Sequence, residues 1–197
     1  MRNVNRQIRD KFRIKGPCVV PFTGFLDSTR NDLADLFCEL GFKIGAEVGV
    51  MWGGYSEVLL RKNPGLKLYC IDPWTPYENG RPSQEKQDRI YRRAKKVLSR
   101  LGATLIRKTS MEALADIPDG SLDFVYIDAM HKFDYVMMDI IEWSKKVKRG
   151  GIVSGHDYSL IPGCGVVPAT HAYTRGHMIL EWYVTREIWP SFFWVKP

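Results

Sequence analysis

Short apolar runs alternate along this chain with charged stretches of helical periodicity. From Asp27 onward, Leu33, Leu36, Phe37 and Leu40 recur at helical spacing, with Asp27 or Ser28 available as the N-cap and Gly41 placed where such a helix ends. Residues 44–50 read as a buried strand, 54–62 as a helix and, after Pro64 and Gly65, 67–71 as a second strand. A charged helix over 83–101, closed by Gly102, precedes a strand at 103–107. Further strands fall at 122–127 and 151–154, with an amphipathic helix over 131–147 between them. This alternation predicts an α/β fold with a mostly parallel sheet and helices on both faces. The tail differs: 181–185 and 192–195 are aromatic-rich strands joined across Pro190 and Ser191, which predicts an antiparallel pair at the sheet edge. Residues 1–26 lack periodicity and carry Gly16, Pro17, Pro21 and Gly24, so they read as an arm or cover, leaving one domain over 27–197. The loop 73–82, with three prolines, two aromatics and Gly80, has the composition of a lid.

Composition narrows the function classes. A chain of 197 residues with 45% hydrophobic content can bury one well-packed core. There is no apolar run of about 18 residues, and residues 1–7 lack an apolar stretch after their charges. The expectation is a cytoplasmic protein without a membrane partner. Cys18, Cys38, Cys70 and Cys164 are scattered without paired spacing and read as reduced and structural. The net charge of +7, from 29 Lys and Arg against 22 Asp and Glu, concentrates in basic runs at 2–15 and 89–100. Such runs attract polyanions, but these lack interleaved aromatics, so solvated helix faces are favoured over a nucleic-acid surface.

The glycines after the strand at 44–50 carry the candidate chemistry. A dinucleotide-binding turn reads G-x-G-x-x-G and presents a helix N-terminus to a pyrophosphate. Here the order is Glu47-x-Gly49-x-x-x-Gly53-Gly54. A carboxylate so close to the turn would repel pyrophosphate, which argues against a nicotinamide dehydrogenase. It is compatible with a ligand bearing an ammonium group. The strand at 67–71 ends on Asp72, a carboxylate suited to a ribose diol.

This segment resembles the E-x-G-x-x-x-G motif of class I S-adenosylmethionine (SAM)-dependent methyltransferases. Ile127-Asp128-Ala129-Met130-His131, Asp139-Ile140 with Trp143, and Gly150-Gly151-Ile152-Val153-Ser154-Gly155-His156-Asp157-Tyr158 narrow the resemblance to family 24 of that class. That group includes metal-dependent sugar and natural-product O-methyltransferases and relatives of the cephalosporin-tailoring proteins. The resemblance covers about residues 43–197 and implies a Rossmann-like sheet ending in an antiparallel strand pair. It also implies that Glu47 and Gly49 hold the methionine end of SAM, with Met51, Gly53 and Ser56 along the same loop. Asp72 would accept hydrogen bonds from the ribose or, alternatively, cap a turn. Trp74 would cover the adenine or pack on the protein body, and Ser110 and Met111 would contact adenine unless Ser110 only caps a helix. Asp128 would lie beside the cofactor and, with His156 and Asp157, hold a divalent ion. The ion would lower the pKa of an acceptor hydroxyl, and His131 would remove its proton. Related sequences often place two acids where this chain has His156-Asp157, which shifts the choice from Mg²⁺ toward Mn²⁺ or toward no ion. His171 and His177 read as ordinary polar residues.

The leading expectation is a SAM-dependent O-methyltransferase for a small hydroxylated acceptor such as a sugar or natural-product intermediate. An RNA or cap ribose methyltransferase and a SAM-binding module without turnover are the alternatives. The convincing second lysine of the ribose methyltransferase set is missing after 151–154. The aromatic tail offers a surface for a homo-oligomer.

Overall fold

A computed structural model describes residues 4–16, 25–77 and 81–197. The expectations resting on Pro17, Cys18, Pro21, Gly24 and Gly80 lie outside the described residues. Among the described residues, eight strands form one sheet: β1 (Phe25–Leu26), β2 (Ile44–Val48), β3 (Lys67–Ile71), β4 (Thr104–Ile106), β5 (Leu122–Ile127), β6 (Val147–Gly155), β7 (Trp182–Thr185) and β8 (Phe192–Val195). Their order is β1-β7-β8-β6-β5-β2-β3-β4. The pairs β2·β3, β2·β5, β3·β4, β5·β6 and β1·β7 are parallel, whereas β8 runs antiparallel to both β6 and β7. The expected α/β sheet with its antiparallel ending is therefore present, and β1 adds one more strand beyond β7.

Among the described residues, seven α-helices accompany the strands: α1 (Val4–Lys11), α2 (Arg30–Glu39), α3 (Gly54–Lys62), α4 (Gln84–Leu98), α5 (Ser110–Ala113), α6 (Phe133–Lys146) and α7 (Val166–Gly176). Strand periodicity divides the core between the two sheet faces. In β5, Phe124 and Tyr126 join the cluster containing Leu33, Phe37 and Leu59, while Val125 and Ile127 join the cluster with Ile140, Trp143 and Trp182. Phe37 stacks on Phe124 with ring centroids 4.1 Å apart, and Gly45 leaves the space that this ring occupies. Central strands covered on both faces read as continuous apolar runs, and all six residues of β5 are buried.

Three details depart from the sequence reading. The α2 cap is Thr29, which with Asp32 forms a reciprocal capping box one or two residues beyond the expected Asp27 or Ser28. Within the segment read as an arm or cover, residues 4–11 form α1. Its Ile8 has no exposure and belongs to the core cluster of α2, while Arg9 reaches Glu181 at 2.6 Å. The segment 159–176, one of the least patterned parts of the chain, contains α7. No helix among the described residues is long and apolar enough to cross a membrane.

The chain leaves β2 toward β3 and β4 on one side, and β5 and β6 occupy the other. Parallel strands whose connections diverge in this way open a crevice at their carboxyl ends. Here that switch point lies between β2 and β5, where residues 48–54 meet residues 128–131.

Candidate active site

The turn leaving β2 is shaped by backbone contacts that exclude a side chain. Gly49 has φ +91°, and a Cβ built on it would lie 2.0 Å from the carbonyl oxygen of Asp128. Only glycine satisfies both the left-handed backbone and this approach. Gly49 N donates to Ile71 O at 2.8 Å and Asp128 N donates to Val48 O at 2.7 Å, so the ends of β2, β3 and β5 are laced together. Gly53, with φ +81°, starts α3, and Met51, with φ +48°, is held on the open side of the turn.

Asp72 organises that turn. One carboxylate oxygen accepts from Val50 N at 3.0 Å and Met51 N at 2.9 Å, and the other accepts from Trp74 N at 2.7 Å. Burial is the largest influence on this carboxyl and raises its pKa, against the lowering effect of the three amides. A carboxylate offers about four acceptor positions, so one is left on the oxygen facing Trp74 N for an incoming hydroxyl. Both readings of Asp72, turn cap and diol acceptor, are thus compatible in one side chain.

Glu47 and Ser56 are sealed beneath the turn. Glu47 is 2% exposed and Ser56 is fully buried. Their side chains share a short hydrogen bond, with Cys70 Sγ 3.5 Å from Ser56 Oγ. Burial pushes the Glu47 carboxyl up to about 8, so it is protonated at neutral pH. Ser56 fastens Glu47 to α3 and presents nothing to the open crevice. Trp74 is also turned inward: it has no exposure, its indole donates to Met51 O at 2.9 Å, and its ring lies 4.8 Å from that of Tyr91. Of the two readings of Trp74, packing on the body is the one observed, with its N–H satisfied by a backbone carbonyl of the turn.

At the next strand end, Thr109 caps α5 with Glu112, so Ser110 is free of that duty. Ser110 Oγ donates to Asp139 and accepts from Trp143 Nε1 at 2.7 Å. Burial lifts the Asp139 carboxyl to about 6. The sequence displayed Asp139 and Trp143 in a motif, yet their role in fixing Ser110 emerges only from the fold. Met111 follows Ser110 and is half-buried.

Across Gly49 lies a cluster of a different kind. His131 Nε2 is 3.0 Å from Asp157 Oδ2 and 3.5 Å from Asp128 Oδ1; His156 Nδ1 is 3.4 Å from Asp157 and 3.5 Å from Asp128. These are charge contacts. His131 Nε2 is buried and has no well-directed hydrogen bond, although its ring is 43% exposed. The flanking carboxylates Asp128 and Asp157 raise the His131 pKa to about 10. For His156, burial alone would lower it, but the same two carboxylates outweigh burial and bring it to about 9. Both carboxyls are held below their usual range by the imidazoles, whose effect exceeds the opposing effect of burial. In the protein alone, two acids therefore secure the His131 proton.

Asp128, His131 and Asp157 each bring a ligand atom to within 4.8 Å of the others. An undirected imidazole nitrogen facing two carboxylates is a donor set that fits a divalent cation of borderline hardness. Asp157 adopts φ +55°, and Gly165 N donates to His131 O at 2.6 Å, bringing the start of α7 onto the same loop. Ile161, Pro162 and Trp189 line the cleft above the cluster. Ile161 and Pro162 fall in the stretch 159–176 that the sequence leaves for an acceptor pocket, whereas Trp189 carries no signal there, since no periodicity marks its loop. His171 and His177 stand apart, with His171 Nε2 2.7 Å from Tyr158 Oη and the His177 ring tilted against that of Tyr173 at 4.2 Å between centroids.

The parallel sheet, the glycine turn at its switch point and the carboxylate after the second strand define a class I methyltransferase architecture. Residues 44–158, more than half the chain, match the family model Methyltransf_24, described as a methyltransferase domain, and the chain belongs to that family. Over those residues the chain is a methyltransferase domain. Among curated proteins it is similar to the uncharacterized protein y4gI of Sinorhizobium fredii, with 25% identity over 116 residues. That match covers 58% of this chain but only 12% of the relative. Among solved structures it is similar to an O-methyltransferase from Bacillus cereus in complex with S-adenosylhomocysteine (SAH), at 12% identity and TM-score 0.62 over 98% of this chain and 90% of that one. An rRNA methylase from Streptococcus thermophilus aligns over 85% and 93% of the two chains, at 14% identity and TM-score 0.58. At such identities the likeness is one of fold.

Proposed function

We propose that this chain methylates a hydroxyl group of a small acceptor, assisted by a divalent cation, Mn²⁺ before Mg²⁺. The observation that carries the reading is the facing arrangement of Asp128 and Asp157 with His131 and His156, directly across Gly49 from the Asp72 turn. When bound, SAM supplies an electrophilic methyl group and the cation lowers the pKa of the acceptor hydroxyl. Asp72 offers its remaining acceptor position to the ribose, and Met51, beside it, and Gly49 bound the methionine end. Ser110 and Met111 face the adenine. Glu47, neutral in the free protein, sits beneath the turn where an ammonium group would draw its proton off.

Asp128 and Asp157, with His156, are the residues that would hold the cation. Their negative charge is what secures the proton on His131, and neutralising that charge lowers its proton affinity. Once its own proton has passed to solvent, Nε2 would accept the hydroxyl proton. The close set of Asp128, His131 and Asp157 supports a second reading in which the two imidazoles exchange roles. Titration of Mn²⁺ into His131→Ala and His156→Ala distinguishes them: the first reading predicts lost metal affinity in His156→Ala alone, and the second in His131→Ala alone. Calorimetry with SAH, followed by transfer of labelled methyl from SAM to a panel of hydroxylated small molecules, tests the whole. Absence of SAH binding would end the proposal.

A further inference from the structure

Two loops distant in sequence form an apolar rim beside the acid and imidazole cluster. One follows Asp157 and carries Leu160, Ile161 and Pro162; the other joins β7 to β8 and carries Ile188 and Trp189. Both are tied to the cluster or its neighbours. Tyr158 N donates to Pro190 O at 2.9 Å, and Cys164 Sγ lies 3.5 Å from Asp157 O. Trp189 and Ile161 remain 46% and 47% exposed, and the flanking Leu160 and Ile188 are exposed almost completely. Single exposed apolar residues need no explanation, but four on two loops flanking one cleft form a patch.

The cleft measures about 590 Å³ and is lined by Ile161, Pro162 and Trp189 together with Asp128, His131 and Asp157. That volume suits a small molecule. Its described lining residues include neither lysine nor arginine. A phosphate chain requires cations along its path, and the charges of His131 and His156 are already matched by Asp157 and Asp128, so this cleft disfavours a polyanion. Basic side chains line a different depression, where Arg81 and Lys86 accompany Trp52 and Tyr77.

We infer that the rim of Ile161 and Trp189 selects the acceptor: an uncharged hydroxylated compound bearing an aromatic ring, stacked on Trp189 with a hydroxyl directed to His131 and Asp128. This rests on the methyl-transfer reading above and adds the substrate class to it. An indole offers a flat apolar face with little conformational freedom to lose, and such stacking discriminates a ring from a polar chain of equal size.

Saturation-transfer NMR and titration of SAH-loaded protein with phenyl β-D-glucopyranoside provide the test, with methyl β-D-glucopyranoside, glucose 6-phosphate and a uridine oligonucleotide as comparisons. The expected result is binding of the phenyl glycoside with strongest saturation on its ring, weaker binding of the methyl glycoside, and no preference for either phosphate compound. Trp189→Ala should weaken the phenyl glycoside about tenfold, Trp189→Phe should restore most of that loss, and Ile161→Ser should give a smaller loss. SAH affinity should be unchanged in all three variants. Equal binding of the phenyl glycoside to Trp189→Ala and wild type, its failure to bind SAH-loaded wild type, tighter binding of a phosphate compound, or altered SAH affinity in the variants would each overturn the rim. Failure of wild type to bind SAH would instead refute the methyltransferase reading beneath it.

Discussion

The two sides of the crevice are built on opposite principles. On the Asp72 side, a carboxylate collects three backbone amides and fixes the turn through directed hydrogen bonds. On the Asp128 side, two carboxylates and two imidazoles face one another through charge alone, and His131 Nε2 lacks a directed partner. The first arrangement is fixed by its own directed hydrogen bonds and gives shape. The second is held together by protons that a cation can replace, and so it gives reactivity. Preorganised backbone belongs where a ligand is positioned, and exchangeable charge where a proton must move.

If the two sides are separable, changes in one should leave the other intact. The largest effect is expected for His131→Ala, with methyl transfer falling about 10²- to 10⁴-fold while SAH affinity and the folded state persist; rapid-quench assays and circular dichroism check both halves of this statement. Unchanged turnover would remove His131 from the chemistry. Next comes Gly49→Ala, which joins the two sides. Its Cβ collides with the Asp128 carbonyl and requires a left-handed backbone, costing about 3 kcal/mol or more. Denaturant unfolding measures this, and a neutral result would show that the turn and β5 are not in contact. Asp72→Ala leaves three amides without their acceptor and should cost about 1–3 kcal/mol, together with weaker SAH binding. Retained SAH affinity would reduce Asp72 to a turn cap.

The most gradual effect concerns pH. Glu47 binds its proton more tightly in the folded protein, with a pKa of about 8 against an ordinary 4.5. Its contribution to stability is therefore fully present below 4.5 and is lost as pH rises through 8, with a slope of at most about 1.4 kcal/mol per pH unit. Glu47→Gln keeps a neutral group and should flatten this part of the stability profile. An identical pH dependence in wild type and variant would mean that the carboxyl is not sealed as described.

The contrast also explains what the sequence displayed. Strands β3 and β5 and helix α3 matched their expected bounds because continuous apolar runs are punctuated by Pro64-Gly65, Gly53-Gly54 and Ser121. The residues at the strand ends were legible because a parallel sheet delivers them to one edge. Helix α7 was not, since its buried face is made of Val166, Ala169, Thr170 and Thr174, which give little contrast with its solvent face. The strand β6 begins at Val147, earlier than 151, because polar Lys148 and Arg149 sit within it. Trp74 illustrates a further limit: composition identifies a lid aromatic, but only the fold shows that its indole donates inward to Met51. The proton affinity of His131 likewise depends on Asp157, 26 positions away along the chain and 3.0 Å away in space.

A crystal structure of the protein with SAH and Mn²⁺ tests the central claim most directly. The account predicts the adenosyl group between Asp72 and Ser110, its sulfur turned across Gly49 toward Asp128 and His131, and the ion on Asp128 and Asp157. SAH bound away from the β2–β5 switch point, or an ion that avoids both carboxylates, would contradict it.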